Sequence, residues 1–310
     1  MIDFRYHIVS LVAVFFALAV GIVLGNGPMR DALIGDQAET IASLEDETSQ
    51  LQTELDVQAD SAAAGEQFAD ETSTRLLAGA LGEVSVATLD VGTPSTSDSQ
   101  GIRDRLVQAG AALTAQVVVE PAWTDPQQVA FRNSLASTVA SQVVGSTDDM
   151  TSTTVLAHAL AQALMPGVVP VGAEGDDYAA DAEERAGALF ELLVDAELVS
   201  GTVTAPSSAV AMIAGPADEE AGADSAVYAE IAGVLGLYAD GIVASSGLAS
   251  SGDLPTAIAN SPSASPVVST VSTGTGYFGQ ISSALALAEN IGGSVGQYAV
   301  GGESAYVPTP

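Results

Sequence analysis

The sequence predicts an α/β protein in three parts. An N-terminal transmembrane helix leads into a coiled-coil stalk, and a layered domain with a mostly parallel sheet follows. Three observations predict this. Ile8 to Gly25 is an uncharged apolar run, a heptad pattern comes after it, and from Val84 onward short β-branched runs alternate with helical segments. The expected parts are 1–27 (anchor), 28–80 (stalk), 81–300 (globular domain) and 301–310 (C-terminal tail).

The first run reads IVSLVAVFFALAVGIVLG, 18 residues with one hydroxyl, Ser10. A bilayer core takes about 20 mostly apolar residues to cross, so the run qualifies with little to spare. A surface helix of a soluble domain keeps a polar stripe, and this run has none. Ile8, Leu11, Phe15, Leu18, Ile22 and Leu24 are the expected anchor residues, and residues 8–25 make the lipid bilayer a partner. Arg5 and the amino group precede the run, while the far flank becomes strongly acidic. The positive-inside tendency then places the chain in the cell membrane as a single pass, its domain outside the cytoplasm. Ala17-Leu18-Ala19 resembles a small-residue cleavage pattern but lies inside the run, so an uncleaved anchor is expected.

Gly25-Asn26-Gly27-Pro28 punctuates the span. Beyond it Ile34, Ile41, Leu44, Leu51 and Leu55 fall on a or d positions of one heptad frame, with Gln37, Thr48 and Gln58 completing the seam. Ile34, Ile41, Leu44, Thr48, Leu51 and Leu55 are the expected partner-binding residues. Glu45 lies at an e position, Glu47 and Glu54 at g positions, and no basic residue falls between Asp31 and Asp70. A parallel self-pair would bring like charges together along the seam. The expected partner is therefore another, less acidic helix in the cell envelope; the alternative is a single helix packing on its own domain. Ser61 to Gly65 loosens the pattern, and Phe68 to Leu81 resumes it toward the domain.

Val84 to Val91 reads as a strand ended by Gly92-Thr93-Pro94. A helix over 98–109 follows, with Gly110 as its C-terminal cap, then a strand over 113–120 stopped by Pro121. This spacing suggests a right-handed crossover between parallel strands. Helices are expected over 125–145, 151–164, 179–196, 223–239 and 280–290, and further strands over 210–214, 241–246 and 265–271. Asp125-Pro126 has the pattern of a cap with Pro at the first helical position. No later segment is apolar enough to span a membrane, and the strands are too few and too interrupted by helices for a lipid-facing barrel.

Composition excludes several function classes. Thirty-nine acidic residues against seven cations, all Arg, leave a formal charge of −32, which repels nucleic acid. A salt-adapted or Lys-poor source accounts for the charge, and recognition of cations or of a basic partner is the functional alternative. Without cysteine there is no disulfide, thiolate metal site or Cys nucleophile. Gly274-Thr275-Gly276-Tyr277-Phe278-Gly279 fits a dinucleotide fingerprint but lies in the last unit, and no acidic partner strand is expected after it. Gly292-Gly293-Ser294-Val295-Gly296 fits a nucleophile elbow in the wrong context, with no later histidine. His158 is expected to be structural. Asp148-Asp149, Asp176-Asp177 and Glu219-Glu220 lack calcium-loop spacing, and the five methionines are dispersed. No enzyme, catalytic residue or resident cofactor is therefore expected.

The run Phe4-Arg5-Tyr6-His7 through Gly25 resembles the signature of the actinobacterial copper transport protein B family, and Gly292 to Tyr298 resembles that family's Gly-rich closing motif. The resemblance extends over essentially the whole chain. It implies a retained apolar helix, a coiled coil, an α/β domain and a role in copper export or homeostasis. Related corynebacterial members imply an alternative, a coiled-coil partner regulating a peptidoglycan hydrolase in cell separation. Copper enters only through this resemblance, because the sequence offers no Cys and no Met/His cluster. A copper pore would in addition require an oligomer and carboxylate or histidine ligands.

Overall fold

The computed structural model describes residues 4–25, 28–145, 147, 149–168, 181–215, 222–247 and 252–299. The chain divides into two compact units, Met1–Gly65 and Glu66–Pro310. The expected tail and the acidic pairs Asp176-Asp177 and Glu219-Glu220 lie outside the described residues, as does Asp148.

Two helices account for the first unit. Helix α1 spans Phe4–Gly25, and α2 spans Pro28–Leu76. Asn26 and Gly27, between them, lie outside the described residues. Helix α2 does not break at Ser61–Gly65. The run of alanines there has the highest helix propensity of any residue type, which outweighs the loss of seam leucines.

The second unit is a seven-stranded sheet in the order β3-β2-β1-β4-β5-β6-β7. Its strands are β1 (Ser85–Val91), β2 (Ala112–Val119), β3 (Val199–Val203), β4 (Ala209–Ala214), β5 (Gly241–Ser245), β6 (Val268–Val271) and β7 (Gln297–Tyr298). Only the β2–β3 pairing is antiparallel. The helices are α3 (Thr96–Gln108), α4 (Val129–Val139), α5 (Ser152–Leu164), α6 (Ala182–Asp195), α7 (Gly222–Leu235), α8 (Leu254–Ala259) and α9 (Tyr277–Ile291). The expected α/β class and mostly parallel sheet are what the chain adopts. Two strands and one helix were not expected. Strands β3 and β7 are edge strands, the first interrupted by Ser200-Gly201 and the second only two residues long, and α8 is under two turns long.

Period-two alternation sorts the strands onto two cores. Ala87, Leu89 and Val91 of β1, with Val210 and Met212 of β4, join Trp123 and residues of α4 to α8 on one face. Val86 of β1, with Ala209, Ala211 and Ile213 of β4, meets α3, α9, Ala69 of α2 and, in the turns after α2, Leu77 and Leu81 on the other. Gly110 caps α3 as expected: its φ of 98° is open to glycine, and its N–H donates to the Val107 carbonyl. Asp125 also caps as expected, its carboxylate accepting from Gln127 N at 2.8 Å, but the element it starts is the 3-10 turn Pro126–Gln128 ahead of α4.

Candidate membrane and partner-binding helices

Helix α1 satisfies its own backbone, so only its side chains need an environment. Arg5–Val23 forms a helical window with mean hydropathy 2.4, none of it buried. At ~1.5 Å per residue its 19 residues are long enough for a hydrocarbon core of about 30 Å. The expected anchor residues Leu11, Phe15, Leu18 and Ile22 are each about 60% exposed and Ile8 is 48% exposed; the Leu24 side chain lies outside the described residues.

Helix α2 carries the expected seam. Ile41, Leu44, Leu51 and Leu55 are 57%, 55%, 54% and 63% exposed. Thr48, within the row, donates its hydroxyl to the Leu44 carbonyl at 2.6 Å. The Ile34 side chain lies outside the described residues. Past Gly65 the same helix changes character. Ala69 and Ser73 are buried against the sheet domain, and Arg105 of α3 holds Asp70 at 3.0 Å and Ser73 Oγ at 3.2 Å. Arg105 also lies over the Tyr277 ring, 4.6 Å from its centre. The neighbouring Tyr277 hydroxyl and the Arg105 guanidinium hold the Asp70 carboxyl below its ordinary range.

Among the described residues two sets of chemistry-bearing side chains are paired inside the domain. His158 Nδ1 lies 2.7 Å from the Tyr238 hydroxyl, to which Gln162 Nε2 donates at 3.0 Å. Burial lowers the His158 pKa, favouring the neutral ring. Asp90 and Arg103 form an ion pair at 2.8 Å, their side chains 14% and 13% exposed. This pair sits where the strand order turns back, between β1 and β4. It was not read from the sequence, although VSVATLDV places Thr88 and Asp90 on one face of β1, and Arg103 donates to both.

The Gly274–Gly279 segment does lie at a strand-to-helix junction, its first three residues in the turn after β6 and its last three in the first turn of α9. A strand does follow it, β7, but that strand carries Gln297 and Tyr298 and no carboxylate. A Cβ on Gly279 would lie 2.0 Å from the Thr273 carbonyl oxygen, and one on Gly274 would lie 2.7 Å from Ser245 Cβ. Both glycines are therefore needed for packing inside the loop. Ser294 sits in the turn after α9, its N–H donating to the Glu289 carbonyl. Among the described residues no three His, Cys, Asp or Glu side chains come together as a metal would require. Met165 and Met212 are buried in the core.

Comparison with known proteins gives a consistent answer. The family model for copper transport outer membrane protein MctB matches residues 1–308. The chain is 32% identical over 117 residues to the copper transporters MctB of Mycobacterium bovis and Mycobacterium tuberculosis, covering 38% of this chain and 37% of each relative. It is 30% identical over 132 residues to that of Mycobacterium leprae, covering 40% of this chain and 39% of the relative. The chain thus matches less than two fifths of the length of these curated relatives.

Proposed function

This chain belongs to the MctB family of copper transport outer membrane proteins, and from that premise we propose that it is a membrane-anchored, non-enzymatic envelope protein serving copper homeostasis through protein contacts. Helix α1 crosses the cell membrane once, the sheet domain lies outside the cytoplasm, and the α2 seam pairs with a helix of another envelope protein. The observation that carries this reading is the seam: four large apolar residues in one helical row, each more than half exposed. Copper is the cargo of the process rather than a resident of this chain. The described residues bring no ligand set together for it, so the role proposed is in assembly with the machinery that moves copper.

The test is a double substitution, Leu44→Asp with Leu51→Asp, in the full chain, expressed in a host lacking its own copy. The variant should stay in the membrane fraction with a folded domain, yet fail to restore normal intracellular copper. If copper is normal and daughter cells fail to separate, the seam serves the alternative, control of a peptidoglycan hydrolase. If both are normal, the seam has no role.

A further inference from the structure

Apolar seam residues set where a partner helix lies; the residues beside the seam set which helix is accepted. We propose that the occupant of the α2 seam is a helix flanked by Lys or Arg, and not a second copy of this chain; this rests on the reading of the seam as a pairing surface.

The described length of the seam, Ile41 to Leu55, is two heptads, about 22 Å of helix. So short a seam buries few leucines, and flanking charge then weighs heavily in partner choice. Beside it stand Glu45 at e and Glu47 and Glu54 at g, with Asp46, Asp56 and Asp60 on the outer face. No cation falls between Arg30 and Arg75, so no carboxylate from Glu45 to Asp60 has a basic neighbour within a turn of it along the helix. A second copy would bring an equally acidic rod to about 10 Å, close to the physiological screening length of about 8 Å, and the two would repel. A helix with basic e and g positions meets carboxylates on both sides instead. The polar position in the row does not oppose burial, because the Thr48 hydroxyl already donates to the Leu44 carbonyl.

The experiment uses the full chain in lipid nanodiscs and three labelled synthetic helices read by fluorescence anisotropy. One has Leu at a and d with Lys at e and g. The second has the same leucines with Glu at e and g. The third has the lysines with Ser at a and d. The leucine–lysine helix should bind about tenfold more tightly than the leucine–glutamate helix, because each of three flanking sites changes from like-charge repulsion to attraction. Raising the salt should shrink that advantage, and Glu45→Lys, Glu47→Lys and Glu54→Lys together should reverse it. Leu44→Asp with Leu51→Asp should abolish binding, and the serine–lysine helix should not bind.

Equal binding of the two leucine helices, still lost in the aspartate variant, overturns the charge proposal and leaves the seam standing. Binding of the serine–lysine helix, or binding indifferent to the aspartates, reduces the effect to bulk attraction by an acidic chain and overturns the proposal. No binding by any helix overturns both seam and charge. A Leu51→Cys chain that cross-links to its own kind, and ceases to when Leu44→Asp is added, makes the occupant a second copy.

Discussion

Helices α1 and α5 are alike in one respect and opposite in another. Both are mostly apolar: α1 is apolar on every side from Ile8 onward, and α5 from Val155 to Leu164 has only His158 and Gln162, one turn apart, as polar residues. Yet every residue of α5 from Val155 to Leu164 is buried, while none of the α1 window is. Helix α5 finds its apolar surroundings within the chain, packed with α4, α6 and α7. Among the described residues helix α1 finds none. An apolar helix left bare loses the favourable transfer that burial gives, on the order of 25 cal/mol per Å². Composition is therefore shared between a core helix and a bare apolar helix, and under the proposed function lipid supplies the surroundings that the chain supplies to α5.

That contrast can be broken most strongly in α5. Leu160→Ala should cost about 2–5 kcal/mol of domain stability, because Leu160 is fully buried and its neighbours can only partly close the cavity. The counterpart Leu51→Ala in α2 should leave domain stability within about 0.5 kcal/mol. Chemical denaturation of the full chain in detergent, followed by the Trp123 signal, measures both. Trp123 suits the purpose, being fully buried with its ring N–H on the Leu198 carbonyl at 2.8 Å.

A somewhat smaller effect is expected at the switch of strand order. Asp90→Ala leaves Arg103 in a largely enclosed place with Thr88 Oγ1 as its hydrogen-bond acceptor at 3.2 Å. The cost should be about 2–3 kcal/mol, less than for a fully buried pair because both side chains reach solvent slightly. A loss below about 0.5 kcal/mol in the same denaturation would show the pair to be idle.

The smallest effect is a slope with pH. Burial lowers the His158 pKa in the folded chain below its ordinary 6.5. The unfolded chain then takes up the proton first, so the stability term is full above about pH 6.5 and shrinks as pH falls below it. His158→Gln should flatten this part of the stability curve below about pH 6.5. An unchanged slope would show that His158 is not the group responsible.

Much of this architecture was legible in the sequence, for identifiable reasons. Val117-Val118-Val119 and Val210 to Ala214 announced interior strands because buried parallel strands concentrate β-branched and apolar residues. Gly110 and Asp125 announced ends because few residue types can fill those backbone roles. Strands β3 and β7 escaped because an edge position tolerates Ser200, Gly201 and Gln297, which look like loop. The seam was legible as a row at heptad spacing, but not its boundary. That Ala69 turns inward while Leu55 stays exposed depends on Arg105, Asp70 and Tyr277, which are far apart in sequence. For the same reason Asp90 and Arg103 could not be paired before the crossover from β1 to α3 was seen.

The absence of native cysteine makes the central claim directly measurable. Phe15→Cys and Leu51→Cys, each labelled with an environment-sensitive dye in the full chain in nanodiscs, report the surroundings of α1 and of the seam. The account predicts that the dye at residue 15 is quenched by lipids carrying a quencher at mid-chain and shielded from aqueous iodide, while the dye at residue 51 shows the reverse. A residue 15 dye as open to iodide as that at residue 51 would contradict it.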